Sequence, residues 1–161
     1  MQLLDRALPG LPLAATPTFT ERPAAVDGGD RLRYRLSLLV LSLSVCKKQT
    51  GSYARLALLN FAARSSRLRA QLLRHARNIS VPSDSGVRFD PLFPRVISLA
   101  CAFGLIEARQ DRSVFMLSAK GRDAERTISE NGLFAVEREF FGTVCDLLPE
   151  LAVNNLVKGS A

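Results

Sequence analysis

A mostly helical fold carrying one small β-hairpin is what this sequence predicts, and three observations carry it. From position 30 onward apolar residues recur at helical spacing. The periodic segments are bounded by Ser, Asp, Gly and Pro at positions suited to helix ends. Only two short segments, Leu105–Ala108 and Ser113–Leu117, read as strands. A chain of 161 residues suits one domain with a short appendage and is long enough to bury a core without metal or disulfide staples.

Residues 1–29 hold Pro9, Pro12, Pro17 and Pro23 with Gly10, Gly28 and Gly29, and no period survives them. They are expected to form a flexible leader, with Leu3, Leu4, Leu8, Leu11 and Leu13 leaving open an arm that orders on a partner. Residues 30–161 are expected to form the domain proper. Asp30 can cap a helix running to Cys46. Leu32, Leu36, Leu39, Val40 and Leu43 mark one face of it, while Leu38, Leu41 and Val45 fill much of the other. A helix apolar nearly all round needs cover on both sides, and a partner subunit is one source of that cover.

Lys47 to Gly51 reads as a turn, and Ser52 as the cap of a helix over Tyr53–Arg64. Ser65 or Ser66 opens a third helix ending near Arg77, with Leu68, Leu72 and Ala76 inward. Arg64, Arg67, Gln71, Arg74 and Asn78 share its other face. A loop through Pro82–Gly86 follows, then Val87-Arg88-Phe89. Asp90-Pro91 is a helix start, an Asx cap before proline. The apolar run Val96–Phe103 continues that helix until Gly104 ends it in left-handed geometry. The two strands then flank Arg109-Gln110-Asp111-Arg112, a charged hairpin tip. Ser118 caps a helix over Ala119–Ser129 that Asn131-Gly132 breaks. The last long helix, Leu133–Leu148, carries the stripe Leu133, Val136, Phe140, Val144 and Leu147, with Phe134, Phe141, Cys145 and Leu148 beside it. Pro149 closes it, and Glu150–Val157 forms a shorter amphipathic piece.

The net charge of +7 is uneven. Residues 30–79 hold eleven Lys and Arg against Asp30 alone, while residues 1–29 and 80–161 carry a net −1 and −2. Such a block points to an anionic partner, either nucleic acid or an acidic protein surface. No segment has the ~18–20 continuous apolar residues of a membrane span, and the cytoplasm is the expected location. Cys46, Cys101 and Cys145, scattered in apolar stretches, read as reduced core thiols. With His75 the only histidine there is no zinc pattern and no triad, and neither a GxxxxGK[ST] nor a GxGxxG loop occurs. An enzyme is not expected, and no cofactor or metal.

The most specific local signal is Gly104-Leu105-Ile106-Glu107 followed by Phe115-Met116-Leu117-Ser118-Ala119-Lys120-Gly121. A helix ends on Gly, a strand leaves, a basic loop turns, and the return strand enters a Ser-capped helix. This looks like the wing of a winged-helix-type domain, a fold that serves DNA binding and protein docking alike. Arg64, Arg67 and Arg74 are the candidate nucleic-acid face, since guanidinium forks suit phosphate oxygens. Arg109 and Arg112 on the wing are the second candidates. Phe134 and Phe141, beside the C-terminal stripe, are the candidate partner anchors.

From Arg31 to Lys158, about four-fifths of the chain, the order of features resembles a known family. A Leu-rich helix ends in Cys46-Lys47-Lys48, and a capped helix carries Leu-Ala-Leu-Leu-Asn-Phe-Ala before Arg64-Ser65-Ser66. Val87-Arg88-Phe89-Asp90-Pro91, the two wing motifs and Glu137-Arg138-Glu139-Phe140 follow. Together they resemble the small middle components of bacterial three-component ABC systems, including those of Lamassu-type anti-phage defence. The resemblance implies a non-enzymatic accessory subunit whose partners are an SMC-like ABC ATPase and an effector subunit, often a nuclease, with DNA as a further contact. The Pro-rich leader is outside the pattern. The competing expectation is a free-standing winged-helix DNA-binding transcription regulator, dimeric through its C-terminal helix.

Overall fold

A computed structural model of the chain describes residues 28–77, 90–109 and 113–158. The leader up to residue 27, the Pro82–Gly86 loop with Val87-Arg88-Phe89, and the hairpin tip Gln110–Arg112 lie outside the described residues.

The Leu-rich segment forms α1 (Gly28–Val45), starting two residues before the expected cap, so that Asp30 stands within the first turn. Its middle is sealed from solvent: Leu38, Leu39, Val40, Leu41, Ser42 and Leu43 are at most 1% exposed. Two serines interrupt the apolar run without leaving orphaned hydroxyls. Ser42 Oγ donates to the Leu39 carbonyl at 2.8 Å and Ser44 Oγ to that of Leu41 at 2.9 Å. The expectation of cover from a partner subunit is not needed here, because this chain wraps α1 on both sides. Leu38 and Leu41 join one cluster with Leu59, Leu72, Phe141 and Val153. Leu39, Val40 and Leu43 join another with Leu56, Phe93, Ile106 and Phe115.

After α1 a single 3₁₀ turn (Lys47–Gln49) leads into β1 (Thr50–Ser52), a strand where the sequence predicts only a turn. Ser52 then caps α2 (Tyr53–Ala63), its Oγ accepting from the Arg55 N–H at 3.1 Å, and α3 (Ser66–Ala76) follows. The next helix, α4 (Phe93–Ala102), begins later than Asp90-Pro91 predicts, with Pro94 in its first turn. Asp90 instead builds the preceding turn: its Oδ1 accepts from the Leu92 N–H at 3.0 Å and its carbonyl from Phe93 at 2.9 Å.

Gly104 ends α4 at φ +69°, as predicted. The N–H of Gly104 bonds back to Cys101 and that of Leu105 to Ala100, both at 2.9 Å, a Schellman closure. The hairpin strands are β2 (Ile106–Arg109) and β3 (Val114–Leu117). They complete a three-stranded antiparallel sheet in the order β1-β3-β2, with Gly51 opposite Phe115 and Ala108 opposite the same residue on its other side. Ser118 Oγ accepts from the Gly121 N–H at 3.0 Å and donates to the Gly104 carbonyl at 2.6 Å, fastening α5 (Ala119–Glu130) to the end of α4. Gly121 must lack a side chain, because a Cβ there would stand 2.2 Å from the Leu105 carbonyl oxygen. The chain closes with α6 (Ala135–Leu147) and α7 (Glu150–Lys158). The result is a mostly helical domain with one small sheet. The α1–α2 pair has α3, α6 and α7 over one cluster and α4 with the sheet over the other.

Candidate functional site

The basic block between residues 30 and 79 meets carboxylates that come from the second half of the chain. Asp90, with 9% of its side chain exposed, lies between two guanidinium groups, hydrogen-bonded to Arg35 and 2.9 Å from Arg64. Arg69 pairs with Glu137 at 3.2 Å and donates to the Ala63 carbonyl. Arg55 pairs with Glu150 at 2.6 Å and donates to the Leu148 carbonyl at 2.8 Å. Four of the block's eleven cations are therefore engaged by three carboxylates of the fold. Arg64 is engaged in this way, its guanidinium also resting over the Phe61 ring at 5.3 Å.

What stays open on α3 is Arg67, Arg74 and Arg77, all exposed and without an ion pair among the described residues. Leu72 and Ala76 hold the opposite side of the helix in the core. Arg67 and Arg74 are two turns apart, about 10.5 Å along the axis. Asn78, read as the end of this row, lies outside the described residues. Arg109 ends β2 and is exposed, paired across the sheet with Val114. Arg112 lies outside the described residues. The α3 face and the hairpin stand over different halves of the core, since Leu72 and Ala76 belong to one cluster and Ile106, Phe115 and Leu117 to the other. The α3 arginines and Arg109 thus do not form one continuous row.

Of the two aromatic anchors, Phe141 is not at the surface. Phe141 is 0% exposed and sits in the core with Phe140 and Val144, so it offers no edge to a partner. Phe134 is half-buried, its ring 5.6 Å from that of Tyr34, and it takes left-handed backbone geometry (φ +61°) just before α6. Of the predicted inward stripe, Leu133 (54%), Val136 (60%) and Leu147 (42%) face solvent instead. The helix is turned so that Glu137, Phe141, Val144 and Leu148 point inward. The Arg69–Glu137 pair, both side chains under 20% exposed, holds that rotation.

One arrangement had no signal in the sequence. A cleft of about 560 Å³ opens where α1 ends, lined by Cys46, Lys47, Arg55, Cys145, Asp146 and Glu150 among others. At its wall Cys46 Sγ and Cys145 Sγ are 3.2 Å apart, both as thiols. Cys46 is buried, whereas Cys145 is half-buried. The hydrogen bond from Cys46 pulls the Cys145 thiol down to about 7; burial opposes this and the neighbouring Arg55 guanidinium assists it. The same contact, with burial, pushes Cys46 up. No three metal-ligating side chains gather here or elsewhere among the described residues. Ninety-nine residues separate the two cysteines, so no local spacing could have paired them. No known family model, curated protein or solved structure matches this chain.

Proposed function

We propose that this chain is a non-catalytic adaptor: a winged-helix-type subunit that docks on an SMC-like ABC ATPase of an anti-phage defence complex and meets DNA only through phosphates. The fold part of this reading is supported by topology. A strand between the first two helices pairs with the return strand of a hairpin that a later helix enters directly, as in winged-helix domains, with one helix more between β1 and β2 than they have. The partner's identity rests on the sequence resemblance alone.

Docking is favoured over base reading by the helix that enters the hairpin. A recognition helix presents polar side chains to base edges in the major groove. The exposed side of α4 instead carries Leu92, Ser98, Ala102 and Phe103, with Arg95 its single charge. That is poor equipment for a free-standing transcription regulator.

The observation that carries the reading is the outer face of α6. Val136 and Leu147 are eleven residues apart and so only ~20° apart around the helix, and both are well exposed. Large apolar side chains held out on one side of a helix offer a partner an apolar contact. Affinity capture of the full chain from cells carrying its native operon should bring down a long coiled-coil ATPase. The double substitution Val136→Asp, Leu147→Asp should abolish that capture with the melting temperature nearly unchanged. Capture of no ATPase by the unmodified chain overturns the reading, and equal capture by the double variant overturns the surface.

A further inference from the structure

We infer that Cys46 and Cys145 form a peroxide-reactive dithiol, a modification site that closes an intramolecular disulfide between the end of α1 and the last turn of α6. The inference does not depend on the docking reading. It stands first on distance: the sulfurs are 3.2 Å apart, and a disulfide needs about 2.05 Å, so a shift of roughly 1.2 Å brings them to bonding. It stands next on access. Cys145 faces a cleft wide enough for a small hydroperoxide, whereas Cys46 behind it is 6% exposed.

The two thiols are chemically unequal, and the inequality assigns their roles. Arg55 is held rigidly by Glu150 and the Leu148 carbonyl, which fixes its positive charge beside Cys145. Lys47 adds a second cation to the cleft, and Asp146 and Glu150 face it as carboxylates. Glu150 is occupied by Arg55 and by the Ser52 hydroxyl. Thiolate is the reactive form, and a guanidinium neighbour favours it. Cys145 is therefore the attacking sulfur and Cys46 the resolving one.

The chemistry balances with hydrogen peroxide as oxidant. The Cys145 thiolate attacks one peroxide oxygen; an S–O bond forms, the O–O bond breaks, and hydroxide leaves to take up a proton as water. This produces a sulfenic acid on Cys145. Cys46 then loses its proton and attacks the Cys145 sulfur. The S–S bond forms, the S–O bond breaks, and the second oxygen leaves as water. Two thiols give up two electrons, one peroxide is reduced, and two waters result. Each chain reacts once, without turnover. Cys101 takes no part: it lies in α4 against the other core cluster.

The test uses the full chain treated with a small excess of hydrogen peroxide, then denatured and labelled with a maleimide. Labelled thiols should fall from three to one, the mass should drop by about 2 Da, and peptide mapping should link Cys46 to Cys145. C101S should behave alike with no label left. C46S should stop at a Cys145 sulfenic acid that dimedone traps, and C145S should keep both remaining labels. R55Q should slow alkylation of Cys145 several-fold at pH 7 and move its pH midpoint upward from about 7. Three labels surviving peroxide, or loss no faster than in C145S or in the urea-unfolded chain, overturns the proposal. A disulfide that involves Cys101, or one between two chains, overturns it equally.

Discussion

A carboxylate with two guanidinium neighbours and little access to water ties the turn before α4 to α1 and to the end of α2. Asp90 bonds Arg35 and Arg64, and Arg35 is itself only 15% exposed. Removing one partner of a buried pair leaves charge without compensation, which costs more than the pair's net worth. Asp90→Ala should therefore destabilise the chain by about 3 kcal/mol, the low end of the usual range because Arg64 can still reach solvent. Asp123→Ala breaks only the exposed pair with Arg126 and should change stability by less than about 0.5 kcal/mol. Urea unfolding of both variants checks the contrast, and equal midpoints would mean that Asp90 is ordinary. The sequence showed Asp90 as a helix cap before Pro91, whereas it builds the turn that precedes α4. Its ion-pair partners lie 55 and 26 residues away and have no local pattern to reveal them.

At the scale of elements, α6 is where counting apolar residues placed the inner face only in part: Phe140 and Val144 are buried, whereas Leu133, Val136 and Leu147 are exposed. Apolar positions at helical spacing put Leu133, Val136 and Leu147 on the inner face in place of Glu137, Phe141 and Leu148. Two features reverse that placement. Phe134 in left-handed geometry detaches Leu133 from the helix register, and Glu137 must reach Arg69 in a half-dry site. Phe141→Ala should accordingly cost ~3–5 kcal/mol, as for a fully buried aromatic ring, whereas Leu147→Ala should cost under ~1 kcal/mol. Similar losses for both would restore the stripe read from the sequence. Helix ends were far more legible. Gly104 and Gly132 both take positive φ and both close Schellman motifs, because few residues but glycine tolerate that geometry.

For the whole molecule, the distribution of charge decides what an external polyanion would meet. Three acids from the second half, Asp90, Glu137 and Glu150, engage Arg35, Arg55, Arg64 and Arg69, leaving Arg67 and Arg74, with Arg77 at the C-cap, as the open cations of α3. If these touch phosphates, DNA binding should be weak and tolerant of sequence. Each lost contact should then lower the slope of log K against log salt by about 0.9. Arg67→Ala with Arg74→Ala should reduce the slope by up to about 1.8, and Arg64→Ala should change it less. An unchanged slope in a folded double variant rules the face out and turns attention to Arg109.

The sequence by itself determined the helical character, the hairpin, the caps at Ser52 and Ser118 and the glycine stops. Each of these is settled by residues within a few positions of one another, through backbone hydrogen bonds and the conformations a side chain permits. Tertiary structure alone decided the third strand, the rotation of α6, the cover over α1 and the fate of the basic block. It also decided the meeting of Cys46 and Cys145. Thr50–Ser52 is too short to show alternation, and its register comes only from Val114–Met116. The other four depend on groups tens of residues apart, brought together because burying both faces of α1 forces the two halves of the chain to close around it.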